Sequence, residues 1–168
     1  MAQKFTSSFT NEEKEMYMRE ALGEARLAFE QEEVPIGCVI VHNGNIIARG
    51  SNVRELTQDA TTHAEMNAIR FANHSLSSFR LENSALFVTV EPCVMCAGAI
   101  LLSRIPEVYY GSANAKGGAC GSVVDVMDIP AINHAPFVEG GILQEECGRI
   151  MTEFFQDKRA KKRNDTPK

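Results

Sequence analysis

The sequence predicts an α/β domain, a sheet with helices packed on it, and three observations carry that prediction. Short apolar runs of strand character recur at residues 36–41, 85–90 and 107–110. Segments with helical periodicity separate them. The 168 residues suit one core, and neither an internal repeat nor a linker-like stretch divides them. A single domain is therefore expected, with its core over about 10–157 and a basic tail over 158–168.

Taken in order, Thr10-Asn11-Glu12-Glu13 has the form of a capping box. Met18, Leu22, Ala25 and Phe29 then recur at three- and four-residue steps, which makes one apolar helical face. That helix is expected to end near Glu33, ahead of Pro35. Residues 36–41 are apolar and branched, Asn43-Gly44 supplies a turn, and residues 46–48 resume the pattern, so this segment reads as a β-hairpin. Residues 51–62 are polar and irregular, hence a loop, and Thr62 is placed to cap a helix over about 63–73. The strand at 85–90 stops at Glu91-Pro92, and Pro92 suits the first turn of a helix running to about Ser103. Residues 107–110 read as a strand, followed by a Gly-rich segment over 111–122 and a short helix over 123–127. A final strand over 138–142 is weakened by Gly140-Gly141. In the last helix Cys147, Ile150, Met151, Phe154 and Phe155 follow the i, i+3, i+4, i+7, i+8 pattern.

A chain of this length can bury roughly 70% of its unfolded surface, so it needs neither disulfides nor a structural metal. Any metal site then requires a chemical reason. The formal net charge of -5 excludes a generally basic nucleic-acid binder. Charge is uneven, however: Lys158, Arg159, Lys161, Lys162, Arg163 and Lys168 are opposed locally only by Asp157 and Asp165. Charge alone favours a solvated terminal helix there over a contact to phosphates. Five cysteines, two of them in a C-x-x-C, fit a reducing compartment better than a disulfide framework. The polar first ten residues do not read as a signal peptide, and the apolar runs are far too short to cross a bilayer. The expected location is cytoplasmic.

The chemistry concentrates in His63-Ala64-Glu65 and Glu91-Pro92-Cys93-Val94-Met95-Cys96. Cys93 and Cys96 are three apart, so on a helix they project from one face. Both are expected in its first turn, where the helix dipole favours the metal-binding thiolate. With His63 they make a Cys₂His zinc set of three protein ligands, whereas a structural zinc site closes with four. The position left over suits a water, whose pKa a zinc ion lowers to about 7. Glu65, two residues beyond His63, points away from the ligand direction yet stays close enough to move protons. H-x-E followed by P-C-x-x-C is the signature of zinc nucleobase deaminases.

Blander readings apply to the other cysteines and histidines. A thioredoxin-like C-x-x-C would not require His63 and Glu65, and a zinc ribbon would need a second C-x-x-C. Cys38 and Cys147 read as core residues, and Cys120 has no assigned role. His42 and His74 are expected to face solvent, and His134 to make a loop hydrogen bond.

Beyond the signature, the chain resembles the bacterial tRNA-specific adenosine deaminases, the TadA family. The resemblance rests on Val34-Pro35-Ile36-Gly37-Cys38-Val39-Ile40-Val41, His63-Ala64-Glu65, the run from Thr89 through Ile100, and Gly117-Gly118-Ala119-Cys120-Gly121-Ser122. It continues through Asn133-His134, Gly141-Ile142-Leu143 and Phe154-Phe155, covering nearly everything from Glu12 to Arg163. It implies a cytidine-deaminase-like three-layer α/β/α fold, with a five-stranded mixed sheet flanked by helices, assembled as a homodimer. It implies one Zn2+ per subunit and hydrolysis of the wobble adenosine in a tRNA anticodon to inosine, usually in the arginine tRNA with an ACG anticodon. It also implies that Asn52 and the Ala64 backbone amide contact the flipped base, and that Arg54, Lys116 and Phe154 hold neighbouring nucleotides. At Asn114 some relatives carry an acidic residue. Two rival functions remain open at this point. One is deamination of a free base or nucleotide such as guanine, cytosine or dCMP, and the other is a non-catalytic zinc-stabilised RNA-binding module.

Overall fold

The computed structural model describes residues 4–164. The first helix, α1 (Asn11–Glu30), starts at the predicted capping box: the Glu13 amide donates to Thr10 Oγ1, and the Thr10 amide donates to the Glu13 carboxylate. It stops three residues earlier than expected, and Glu32 then takes a left-handed turn (φ 61°) ahead of Pro35. The hairpin follows as β1 (Gly37–His42) and β2 (Asn45–Ser51), turning at Asn43-Gly44 with both residues at positive φ. The segment expected to be a loop holds one helical turn, α2 (Arg54–Thr57), closed by Gln58 in the left-handed region.

The middle of the chain runs through α3 (Ala64–Leu76), β3 (Ser84–Val90), α4 (Val94–Leu102) and β4 (Glu107–Ser112), and the chain ends with β5 (Phe137–Glu139) and α5 (Gln144–Asn164). The sheet order is β2-β1-β3-β4-β5, antiparallel from β2 through β3 and parallel from β3 through β5. Strand alternation splits the core into two layers. Cys38, Ile40, Leu86, Val88 and Val108 face α3 and α4, whereas Val39, Val41, Phe87 and Tyr109 face α1 and α5. The central strand β3 is buried along its whole length, as a strand covered on both sides must be. Cys38 and Cys147 are core residues, as expected.

Two expected elements change. The short helix over 123–127 does not form, because its amides are drawn to loop carbonyls: Val123 N–H donates to Gly118 O (3.1 Å) and Val126 N–H to Ala119 O (3.0 Å). Asp125 instead bridges back to Cys120 and accepts from the Met127 amide (3.0 Å). The last strand is shorter than expected and ends before the glycine pair, where the chain turns at Gly141 (φ 89°). His42, expected to face solvent, ends β1 half-buried, with Nδ1 3.0 Å from Ser84 Oγ. His134 hydrogen-bonds as expected, with Nε2 2.8 Å from Ile105 O. Lys158 through Arg163 continue α5, Asp165 and Lys168 lie outside the described residues, and among the described residues no helix is long and apolar enough to cross a membrane.

Candidate metal centre

Topology brings the ligands together. Since β1 runs antiparallel to both of its neighbours, β2 and β3 point the same way and end at the same edge of the sheet. Each leads into a helix, β2 through the 52–63 segment into α3 and β3 directly into α4. The carboxyl ends of such strands are where open α/β sheets place their sites. Gly50, near the end of β2, lies so close to the start of α3 that a Cβ there would stand 2.2 Å from Ala64 O. The close packing fixes where His63 emerges.

His63 and Cys93 are themselves the N-caps of α3 and α4. This corrects two expectations, since Thr62 does not cap α3 and Pro92 lies one residue before the cap of α4. Thr62 is occupied elsewhere: its hydroxyl bonds those of Thr57 and the Asp59 carbonyl, both at 2.8 Å. Cys93 thus precedes the first turn and Cys96 lies within it. Both thiols still sit at a positive helix end, which favours their charged form.

His63 Nδ1 lies 3.6 Å from Cys93 Sγ and 3.6 Å from Cys96 Sγ. A tetrahedral zinc with ordinary bond lengths to sulfur and imidazole nitrogen separates those donors by about 3.6 Å, so the set fits zinc in both chemistry and spacing. The Cys93 thiol is pushed down to about 3, first by its hydrogen bond with the Cys96 thiol and, against the effect of burial, by His63. The Cys96 thiol is pushed up by the same pairing, by burial and by Glu65. Both sulfurs bind a cation as thiolates, so its binding releases whatever protons the pair holds.

Glu65 lies in the first turn of α3, 4% exposed, with its carboxyl against Cys96. Burial raises its pKa to about 7, helped by negative charge at Cys93 and opposed by its own amide, His63 and Cys96. A carboxyl poised near neutrality can both accept and return a proton.

The other expected site residues divide into two groups. Asn52 is buried just after β2, its Nδ2 donating to Val34 O (3.2 Å), and the Val53 N–H beside it donates to Thr62 O (3.2 Å), one residue before His63. Ala64 is the first residue of α3, where helix amides have no partner within the helix. Arg54 is exposed on α2, close enough for its charge to act on His63. Lys116 is exposed on the loop that follows β4, and that loop bridges Cys93 through Gly118. Phe154 does not join them. Only 4% exposed, it packs edge-on against Phe29 at 5.5 Å, with Lys158 over its ring.

Sequence reasoning missed two buried carboxylates. Glu33, read as a helix end, is 1% exposed and accepts from the Leu56 amide (2.6 Å), while its Oε2 has no partner. Glu91, read as a strand stop, is 2% exposed and gathers the loop after β4. A signal was available for Glu91 alone: it precedes Pro-Cys inside the metal motif, where an acidic residue at a strand end needs donors.

A five-stranded mixed sheet with a His-Cys-Cys group at two converging helix starts defines a cytidine-deaminase-like domain with a metal-ready centre. The MafB19-like deaminase family matches residues 12–159. A tRNA-specific adenosine deaminase of Streptococcus pyogenes serotype M18 is 47% identical over 156 residues, covering 93% of this chain and 98% of the relative. The tRNA-specific adenosine deaminase of Bacillus subtilis is 47% identical over 149 residues, covering 89% and 92%. A solved structure from studies of A-to-I editing by tRNA:A34 deaminases at the wobble position of transfer RNA has a TM-score of 0.78 at 45% identity, covering 80% of this chain and 98% of that one. The chain belongs to the tRNA-specific adenosine deaminase family.

Proposed function

We propose that the chain hydrolyses the wobble adenosine of a tRNA anticodon to inosine, with one Zn2+ held by His63, Cys93 and Cys96 and with Glu65 moving the protons. The observation that carries this reading is the buried Glu65 carboxyl at the start of α3, two residues from His63 in the three-donor group. When bound, zinc supplies a Lewis acid that lowers the pKa of water. Glu65 takes a proton from the attacking water and delivers it to N1 of the purine. The water oxygen adds at C6 as a hydroxyl; Glu65 then takes that hydroxyl's proton and passes it to N6, so that the C6–N6 bond breaks, ammonia departs and the C6 carbonyl of inosine remains.

Binding is assigned to the residues around that carboxyl. Asn52 and the Ala64 amide meet the extruded base, whose exposure in an anticodon loop lowers the cost of reaching the site. Arg54 and Lys116 stand at the rim for the neighbouring nucleotides. The basic part of α5 approaches the same rim, since Lys161 pairs with Glu32, one residue before the segment that accepts from Asn52 and Leu56. Phe154 contributes from within that helix. The expected substrate is the arginine tRNA with an ACG anticodon, and the expected assembly is a homodimer.

The test is ammonia release from an ACG anticodon stem-loop, guanine, cytosine and dCMP, with inosine read by mass spectrometry. Turnover is expected on the RNA alone, and nearly none with a zinc-loaded Glu65→Ala variant. Rapid turnover of a free base with the RNA untouched would overturn the substrate assignment, and RNA binding without any turnover would favour a non-catalytic module.

A further inference from the structure

Glu91 lies at the end of β3, two residues before a metal ligand, yet its carboxylate turns away from the cluster and into the loop over 114–122. Four donors converge on it. Oε1 accepts from the amides of Cys120 (2.9 Å) and Ser122 (3.1 Å), and Oε2 accepts from the Asn114 amide (3.0 Å) and the Ser122 hydroxyl. The loop closes over the carboxylate so tightly that a Cβ on Gly118 would stand 2.4 Å from the Glu91 carboxyl carbon. Backbone bonds hold the same join, from Ala119 N–H to Pro92 O (2.8 Å) and from Glu91 N–H to Ser112 O (2.9 Å).

The anchoring passes outward through one residue. Asn114, pinned by Glu91 at its amide, accepts at Oδ1 from the amides of Lys116 (3.3 Å) and Gly117 (3.1 Å). Lys116 is the exposed cation of this loop, and it is held only through that relay and the backbone turn from Asn114 to Gly118. A buried carboxylate with four donors is far from what packing alone requires at a strand end, where a neutral side chain would leave those amides unpaired.

We infer that Glu91 is a positioning residue for RNA binding: by fixing Asn114 and the far end of the loop, it holds Lys116 where a phosphate or sugar of the substrate passes the metal centre. This rests on the functional reading above. The inference separates two jobs that adjoin in sequence. Cys93 and Cys96 are fixed by α4, so zinc retention does not depend on Glu91, whereas the pre-set loop lowers the ordering cost of binding.

The experiment compares wild type, Glu91→Gln, Asn114→Ala, Lys116→Ala and the Glu91→Gln/Lys116→Ala double variant, each zinc-loaded, on the ACG stem-loop. Zinc content and hydrogen exchange of the 114–122 amides are measured on the same samples. Glu91→Gln is expected to raise KM about tenfold while kcat stays within about threefold, with full zinc content and faster exchange in the loop. The double variant is expected to be no worse in KM than Lys116→Ala, because both changes remove one interaction. Asn114→Ala breaks the relay without touching the buried carboxylate and is expected to repeat the KM effect, which keeps the test decisive if Glu91→Gln does not fold. An active wild type with unshifted KM in Glu91→Gln or Asn114→Ala, or with KM effects that multiply in the double variant, would overturn the inference alone. A wild type idle on the RNA would overturn the functional reading and this inference with it.

Discussion

The floor of the metal cluster and the anchor of the neighbouring loop each contain a buried glutamate, and the two behave oppositely. Glu65 is 4% exposed and Glu91 is 2% exposed, so burial does not distinguish them. What differs is the supply of donors. Glu91 meets three amides and a hydroxyl, and although burial pushes its pKa up, the bonds from Ser122, Asn114 and Cys120 hold it below the usual carboxylate range. For Glu65, burial raises the pKa to about 7, negative charge at Cys93 adds to the rise, and its own amide, His63 and the Cys96 thiol are too few to offset it. A saturated carboxylate stays ionised and fixed, whereas an under-supplied one is suited to accept and release a proton. The molecule makes both from the same side chain, at the starts of two segments that meet at one sheet edge.

The comparison can be broken at several points. The largest effect is expected from His63→Ala, which removes one of three donors: metal content measured by atomic absorption should fall severalfold and turnover should drop below detection. Retained metal with full activity would show that the cluster is not the working centre. Next comes Glu65→Gln, which keeps the shape but cannot carry a proton. Its kcat is expected to fall by about 10²–10⁴-fold with metal content unchanged. The anchor should respond differently. Gly118→Ala drives a methyl into the Glu91 carboxyl and is expected to cost about 1–3 kcal/mol in urea denaturation, through displacement of the loop. An unchanged midpoint would mean that the loop yields without cost.

Glu107, another buried carboxylate, sharpens the contrast. Glu107 accepts from the Ser8 amide (2.9 Å), the Ser8 hydroxyl and the Tyr109 hydroxyl (2.5 Å), on the face of the sheet covered by α1 and α5. Tyr109→Phe leaves that carboxylate one donor short, for an expected loss of about 1 kcal/mol near neutral pH. The phenol also sets a pH dependence. Burial first, and then the bond to Glu107, raise the Tyr109 pKa in the folded protein. Its contribution is therefore whole below the unfolded value of about 10 and is lost as pH rises toward the folded one. Above about pH 10 the denaturation midpoint of wild type should fall more steeply than that of Tyr109→Phe. Parallel slopes would contradict the assignment.

Much of this was legible in the sequence, for identifiable reasons. The capping box at Thr10, the hairpin at Asn43-Gly44 and the Cys147, Ile150 and Phe154 face of α5 depend on neighbours within a few positions, so local patterns predict them, although Phe155 of the same pattern stands exposed. The ligand trio was legible because its residue types and spacing have few other uses. The failures involve partners in the loops outside the expected element, whose positions a periodic pattern does not report. Thr62 looked like a cap, but its hydroxyl is taken by Thr57 and Asp59 and the cap passes to His63. Residues 123–127 looked helical until the carbonyls of Gly118 and Ala119 claimed their amides. The packing of Phe154 on Phe29 of α1 is likewise a contact that no local pattern reveals.

The parallel course of β2 and β3, separated by a strand that runs the other way, has a consequence for assembly of the centre. His63 stands 30 residues from Cys93. The cysteine pair, three residues apart, is brought together by the local turn at the start of α4, but the imidazole reaches it only after the strands have docked. A divalent ion consequently grips the finished domain harder than the open chain, and a hundredfold excess over its dissociation constant would add up to about 2.7 kcal/mol of resistance to unfolding. Thermal melting with and without a chelator would therefore register the closing of the sheet.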